Sequence, residues 1–358
     1  MDAACKARIE RFLQFDPASV IVALQYGDAR LLITIRHKRL RCTIDRRGVL
    51  TTRGRPRKPL RGPPAAIALS TPARMLSPLP AAAAVALIQG LHHVIDLLRV
   101  ILLGIIEGIT EFLPISSTGH LLIAEKLGLG ARSDLFNVGI QAGAILAVTL
   151  IYWKRIWQLL TQWRDPANRD YLAKLVVAFL ITAVLGLIAV KMGFKLPETV
   201  TPVAWALVIG GVWMLGAEQL AALRPPSSTI TWPVAILVGI AQMVAGIFPG
   251  TSRSSATIFT ALLAGTGDRA AATEFAFLVG IPTMYAATGY ELLKVLHHGG
   301  AAHEDWTALA VGFVVSAVVA FAAVKWLLGY IRSHRFTAFS IYRIALGIAL
   351  LVLMPAGG

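Results

Sequence analysis

The chain has 358 residues, of which 56% are hydrophobic and only 15% charged, with a mean hydropathy of +0.68. A soluble domain of this size cannot hide so much apolar surface, so composition excludes a soluble protein and defines an integral membrane one. The net charge of +15 does not point to nucleic acid, because it is unevenly spread: residues 1–94 hold 16 Lys/Arg against 5 Asp/Glu, and residues 95–358 hold 18 against 14.

In chain order, the first 74 residues are Arg-rich, with RPRKPLRGPP over 55–64 and no sustained helical or strand period beyond Leu31–Ile35. Such sequence reads as disordered, or as never selected to fold. A basic tail lying on anionic lipid and an anchor built from the apolar run Pro80–Leu91 behind Arg74 are the functional readings. The plainer expectation is a start codon placed too early, with translation beginning near Met75 or later. Residues 1–94 are accordingly set apart as a basic extension, and 95–358 as the membrane domain. Both cysteines, Cys5 and Cys42, fall in the extension, so no disulfide framework or cysteine metal site is available to the membrane part.

From Ile95 onward, apolar runs long enough to cross a bilayer lie near 134–153, 171–192, 201–222, 269–291, 306–329 and 336–355, which predicts six full spans. Two further regions, about 95–128 and 232–264, are interrupted by the Pro-centred polar breaks LPISSTG and FPGTSRS. Neither half of either region is expected to cross alone, and unwound backbone at membrane depth is tolerated only inside protein or a wet cavity. Each region is therefore predicted to be a re-entrant helix, break and half-helix. At a constant offset of 135 the two match at Gly104/Gly239, Ile105/Ile240, Pro114/Pro249 and Ser117/Ser252, with Glu107 opposite Gln242. Three full spans between them make the repeats inverted. The predicted class is all-α: a polytopic membrane protein of inverted-topology repeats whose broken helices meet near the midplane, where transporters place their sites. The basic loop Lys154–Arg169 and the pair Arg332/Arg335 then share one side, as the positive-inside rule asks.

The breaks carry chemistry. Glu107 and Glu111 are four apart, so on a helix their carboxylates share a face and can converge on one Mg²⁺ or Ca²⁺. Ser116, Ser117, Thr118 and Gly119 follow Pro114 at a helix start, where unpaired amides and the positive dipole end favour an anion. Thr251, Ser252, Arg253 and Ser254 repeat the arrangement and add a guanidinium suited to phosphate oxygens. The bland alternative makes the hydroxyls N-caps and has Arg253 snorkel to the interface or pair with Glu111. His120, just beyond the first break, could protonate a leaving phosphate or attack one.

The strings EGITEFLPISSTGH and PGTSRSSAT, supported by FNVGIQAGAILAV over 136–148 and ATEFAFLVGIP over 272–282, resemble the undecaprenyl-diphosphate phosphatases of bacteria, the bacitracin-resistance type. The resemblance covers roughly residues 95–355. It implies a membrane enzyme that removes one phosphate from the polyprenyl diphosphate left by cell-wall synthesis. It further implies site roles for Glu107, Glu111, Ser117, Thr118, His120, Ser252, Arg253, Ser254 and Thr257, with Gln141 lining the same cavity. Metal-assisted hydrolysis of a phosphoanhydride is expected, with Ser117, His120 and a metal-bound water all open as the attacking group. The implied setting is the bacterial inner membrane with a head-group site reached from the outer face. The implied partners are the lipid substrate and membrane lipid, not nucleic acid, and a homo-oligomer is left open.

Two rivals are weaker. The lipid-phosphate type of acid phosphatase shares SGH-like and SR-like strings, but its Lys-containing first motif and the His and Asp that follow the Arg are missing. A transporter or flippase of polyprenyl phosphate fits the repeats, yet a carrier does not need this cluster of charges. His297, His298 and His303 with Glu304 and Asp305 read as a solvated loop, and Tyr152, Trp153, Trp157 and Trp163 as an interfacial aromatic belt. Glu274 is an intramembrane acid for which a structural hydrogen bond and a functional role are both open.

Overall fold

A computed structural model of the chain describes residues 20–24, 30–35, 38–44, 50–51, 81–193, 199–223, 225, 227–297 and 304–353. The chain divides into two compact units, Met1–Ser77 and Pro78–Gly358. In the first, strands β1 (Val20–Leu24), β2 (Arg30–Ile35), β3 (Lys38–Ile44) and β4 (Leu50–Thr51) form an antiparallel meander in that order. Val20 pairs with Ile35, Ile33 with Leu40 and Thr43 with Thr51. This corrects the expectation that no strand period exists beyond Leu31–Ile35. From Arg39 to Ile44 the run KRLRCTI alternates polar or basic residues (Arg39, Arg41, Thr43) with apolar ones (Leu40, Cys42, Ile44), the two-residue period of a strand. The all-α expectation therefore applies to the second unit alone. The stretch 55–64, Cys5 and Met75 lie outside the described residues.

The second unit is helical where described. Its elements are α1 (Ala81–Thr110), α2 (Ser117–Ala124) with a wide turn after it (Glu125–Leu129), α3 (Asp134–Ile151), α4 (Trp153–Thr161), α5 (Pro166–Lys191) and α6 (Val200–Ala222). There follow α7 (Trp232–Ile247), α8 (Arg253–Leu263), α9 (Arg269–His297), α10 (Trp306–Ser333) and α11 (Thr337–Leu353). Side-chain caps fix several starts. Ser133 accepts from the Phe136 amide, Asp165 from that of Asn168 with Pro166 at the first helical position, and Asp305 from that of Ala308.

Five of these helices, α3, α5, α6, α9 and α10, are long and apolar enough to cross a membrane. The sixth expected span, 336–355, is the apolar but shorter α11 of 17 residues. Both motif regions are broken helices: α1 and α2 flank residues 111–116, and α7 and α8 flank 248–252. The halves are unequal, however. The Ala-rich run after Pro80 continues without interruption into the first motif, so α1 reaches 30 residues, whereas α7 and α8 have 16 and 11.

The two halves of this unit exchange their first helices. α1 packs along α10, and α7 packs along α5. Both contacts are backbone-close and depend on glycine. A Cβ on Gly104 would lie 2.9 Å from the Gly312 carbonyl oxygen, and one on its counterpart Gly239 would lie 2.6 Å from that of Ala178. α6 packs on α11, and α3 lies against both α9 and α10. This interlocking draws the two breaks into one core, where Phe112, Leu113 and Ile115 of the first meet Ile258, Phe259 and Leu262 of α8 and Phe275 and Phe277 of α9. Phe112 and Phe277 meet edge to face at 5.1 Å.

Candidate active site

Each break ends on a strained serine. Ser116 and Ser252 are the two non-glycine residues with positive φ among those described, at 74° and 67°. Conformations of this kind cost about 1–3 kcal/mol each and persist where the surroundings over-determine them. Each serine then caps the helix it precedes: Ser116 Oγ accepts from the Gly119 amide and Ser252 Oγ from that of Ser255, both at 3.3 Å. The structural equivalence is thus Ser116 with Ser252, not the Ser117/Ser252 match of the constant offset. The first break is one residue out of step, which places Ser117 and Arg253 at equivalent first-turn positions of α2 and α8.

Arg253 and Ser117 converge on a single acid. Glu111, buried just past α1, accepts from Ser117 Oγ through Oε2 and from Arg253 Nη2 through Oε1. The backbone bond from the Glu111 amide to the Glu107 carbonyl, 2.9 Å, keeps the two acids one turn apart. Glu107 is wholly buried, and neither of its carboxylate oxygens has a partner among the described residues. It lies close enough to Arg253 for their charges to interact. The breaks are also joined directly, since Ser254 Oγ donates to the Leu113 carbonyl at 3.1 Å and lies 3.0 Å from Ser252 Oγ.

The remaining predicted residues separate into those the structure gathers and those it does not. His120 Nδ1 donates to the Ser116 carbonyl at 2.7 Å, since a carbonyl can only accept, and Nε2 meets the Tyr342 hydroxyl at 2.7 Å. The two rings are stacked, 9° from parallel. Thr257 Oγ1 is turned back onto the carbonyls of Arg253 and Ser254, an intrahelical bond rather than a contact with the breaks. Thr118 is exposed at the start of α2, and half-buried Gln141 on α3 makes none of the described hydrogen bonds.

Arg343 was not anticipated. Its side chain is fully buried on α11, and its guanidinium donates to the carbonyls of Pro114 (3.4 Å), Ala206 (3.2 Å), Gly250 (2.9 Å) and Thr251 (2.9 Å). It therefore satisfies unwound backbone in both breaks at once. An arginine inside the apolar run 336–355 is a costly residue at membrane depth, and that was the signal available in the sequence. Glu274, by contrast, is held by Arg155 Nε at 3.2 Å and Tyr171 at 3.5 Å, beside a polar cavity of about 1010 Å³ that Arg155, Asp165, Lys174 and Arg332 also line. That places the 154–169 segment, which is mostly helical (α4 and the start of α5) and not the expected loop, together with Arg332. The aromatic residues Trp153, Trp157 and Trp163 are all more than half exposed, as an interfacial belt requires. Of the histidine cluster, His298 and His303 lie outside the described residues.

Two acids a turn apart, one with unpartnered oxygens, are hard donors that fit a divalent cation of the Mg²⁺ or Ca²⁺ kind. No group of three or more His, Cys, Asp or Glu with ligand geometry occurs among the described residues, so phosphate oxygens of a bound ligand would have to complete the shell. The helix starts at Ser117 and Arg253, and the guanidinium that shares Glu111 with the Ser117 hydroxyl, suit those same oxygens.

Fold and centre together define a polytopic membrane protein of duplicated, broken-helix build, with a buried cluster of acids, hydroxyls and arginine at the meeting point of the two halves. The chain belongs to the family described as bacitracin resistance protein BacA, whose model matches residues 100–349. Among its curated relatives, the undecaprenyl-diphosphatase of Rhizobium etli is 72% identical over 262 residues, covering 73% of this chain and 98% of that protein. The undecaprenyl-diphosphatases of Rhizobium johnstonii and Xanthomonas euvesicatoria are 71% and 60% identical, with the same coverage.

Proposed function

We propose that this chain hydrolyses undecaprenyl diphosphate to undecaprenyl phosphate and inorganic phosphate, returning the lipid carrier to peptidoglycan synthesis. The observation that carries the reading is the linkage Arg253–Glu111–Ser117, which joins an anion-binding guanidinium, a proton acceptor and a hydroxyl across the two breaks. The names of the relatives supply the substrate class.

The chemistry follows from what each group can exchange. Arg253 is paired with Glu111 in this structure, and an entering diphosphate competes for the guanidinium with a bidentate set of oxygens. As Arg253 turns to phosphate, Glu111 is left with Ser117 as its donor and is free to take the Ser117 proton. Ser117 Oγ then forms a bond to the terminal phosphorus as the bond from that phosphorus to the bridging oxygen breaks. The electron pair leaves on undecaprenyl phosphate, which takes from Glu111 the proton that Ser117 gave up. A water next attacks the phosphoserine as its proton passes to Glu111, the bond from phosphorus to Ser117 Oγ breaks to release inorganic phosphate, and Glu111 returns that proton to Ser117 Oγ. The amide ends of α2 and α8 and Arg253 stabilise the negative charge throughout, from fixed positions that need no reorganisation. Ser117 is favoured over His120 as the attacking group because both His120 nitrogens are engaged, one by the Ser116 carbonyl and the other by Tyr342. His120 instead holds the first turn of α2. A divalent cation on Glu107 and Glu111 would supply further neutralisation of the diphosphate.

The same reading extends to topology. Equivalent broken regions separated by the three long helices α3, α5 and α6 favour inverted, re-entrant halves. The Arg155/Arg332 side faces the cytoplasm by charge, which leaves the phosphate centre opening to the outer face of the inner membrane.

The test is phosphate release from undecaprenyl diphosphate by detergent-purified protein, wild type beside Arg253→Ala, each with divalent cation and with chelator. Release that requires both Arg253 and the cation supports the reading. No release from folded wild type under any divalent cation overturns it.

A further inference from the structure

The duplicated core offers an internal control for each of its residues, because the contact of α1 with α10 repeats that of α7 with α5. Gly104 meets Gly312 as Gly239 meets Ala178. Four positions along each partner helix stand Ser316 and Thr182, and three along each broken helix stand Glu107 and Gln242. In the α7/α5 copy the donors of these side chains are all satisfied, and Gln242 Oε1 alone of their polar atoms is without a partner among the described residues. Gln242 Nε2 donates to Thr182 Oγ1 at 3.1 Å and to Thr283 Oγ1 at 2.9 Å, and the Thr182 hydroxyl donates to the Gly239 carbonyl at 2.8 Å.

In the α1/α10 copy the same positions are occupied but not sealed. Residues 104, 107, 108 and 111 lie within about a quarter of the circumference of α1. That face lies on α10 so closely that a Cβ on Gly108 would come 2.7 Å from the Ser316 carbonyl oxygen. Glu107 and Ser316 are both wholly buried, and both Glu107 oxygens and Ser316 Oγ are without a partner among the described residues. A carboxylate and a hydroxyl are two oxygen donors. A hydrogen bond between them would still leave a net negative charge in an apolar interior, which is costly unless a cation accompanies it. Arg253, the cation near Glu107, is ion-paired with Glu111.

We infer that Ser316 is a further member of a divalent-cation site built on Glu107, its hydroxyl facing the same cation across the α1/α10 contact. This rests on the reading that gives Glu107 a divalent cation. It adds a residue from a helix that carries neither motif. The duplicated halves have diverged at this pair, Gln242–Thr182 having become a neutral clasp and Glu107–Ser316 a cation seat.

The test uses the full chain in detergent and Mn²⁺ as a spectroscopic stand-in for a hard divalent cation. Binding is followed by the loss of the free-ion electron paramagnetic resonance signal, without substrate. Ser316→Ala removes a hydroxyl that has no partner among the described residues, so it leaves none of their groups newly unsatisfied and the variant folds. It is expected to weaken Mn²⁺ binding about tenfold or more, the scale seen for groups that support a metal site, whereas Ser316→Thr keeps the wild-type affinity. Glu107→Gln combined with Ser316→Thr reproduces the other copy's clasp. That double variant is expected to bind no Mn²⁺ and to unfold at or above the wild-type temperature in chelator. Unchanged Mn²⁺ affinity in Ser316→Ala overturns the assignment of Ser316 while Glu107 keeps its role. Unchanged affinity in Glu107→Gln overturns both.

Discussion

Arg253, in the first turn of α8, is ion-paired with Glu111, just past the end of α1, across 142 positions of sequence. The pair closes the two halves of the membrane unit on each other at the point where each helix is broken. Because Arg253 begins α8, an anion drawn to the positive end of that helix also comes within reach of its guanidinium and can replace Glu111 as its partner. Arg253→Lys retains the charge but loses the planar fork. Both Arg253→Lys and Arg253→Ala are expected to lower kcat for phosphate release by about 10²-fold or more, the scale found when one donor to a developing oxyanion is removed.

Ser117 donates to Glu111, and Tyr342 meets His120, so the two contacts divide chemistry from positioning. Ser117→Ala is expected to abolish turnover and to prevent trapping of radiolabelled phosphate on the acid-quenched protein. If the variant still turns over at near the wild-type rate, attack by Ser117 is excluded.

Tyr342→Phe removes a hydroxyl bonded to His120 Nε2 while retaining the stacked ring. A loss of less than about tenfold in kcat with KM unchanged is expected, since one neutral hydrogen bond contributes about 0.5–1.5 kcal/mol. Phosphate release measured across a substrate series separates the two constants.

Arg343 acts on stability. Arg343→Met leaves four backbone carbonyls in and beside the breaks without their charged donor. A loss of at least about 3 kcal/mol is expected, since each buried acceptor left unsatisfied costs about 1–3 kcal/mol. Thermal unfolding in detergent should show it as a large fall in midpoint. Gly210→Ala should act on the same residue, because its Cβ would fall onto the Arg343 guanidinium.

Gly239→Ala tests the exchange of helices between halves. Its Cβ would lie 2.6 Å from the Ala178 carbonyl oxygen, so α7 must move off α5, at a cost of about 1–3 kcal/mol. Gly246→Ala, on the same helix with open space around its Cβ, is the control. It should be neutral or stabilising by up to about 1 kcal/mol.

The sequence by itself determined the class, the five long helices and the two interruptions, because hydropathy and proline act locally and are read without knowing the fold. It also named Glu107, Glu111, Ser117, His120 and Arg253, since charged and hydroxyl-bearing residues inside apolar runs are visible wherever they end up. A composition-led reading hid the meander of 20–51, whose two-residue alternation is diluted by its arginines. The constant offset placed Ser117 opposite Ser252, and the extra residue between Pro249 and Ser252 in the second break became visible only once Ser116 and Ser252 shared a strained φ. What the tertiary structure alone decided is which of these groups meet. Arg343 reaches both breaks, Tyr342 reaches His120, and Ser316 is the counterpart of Thr182, because helices far apart in sequence pack at glycine-close range. Contacts of that kind depend on the handed crossing of whole helices, a property that no local pattern of residues encodes.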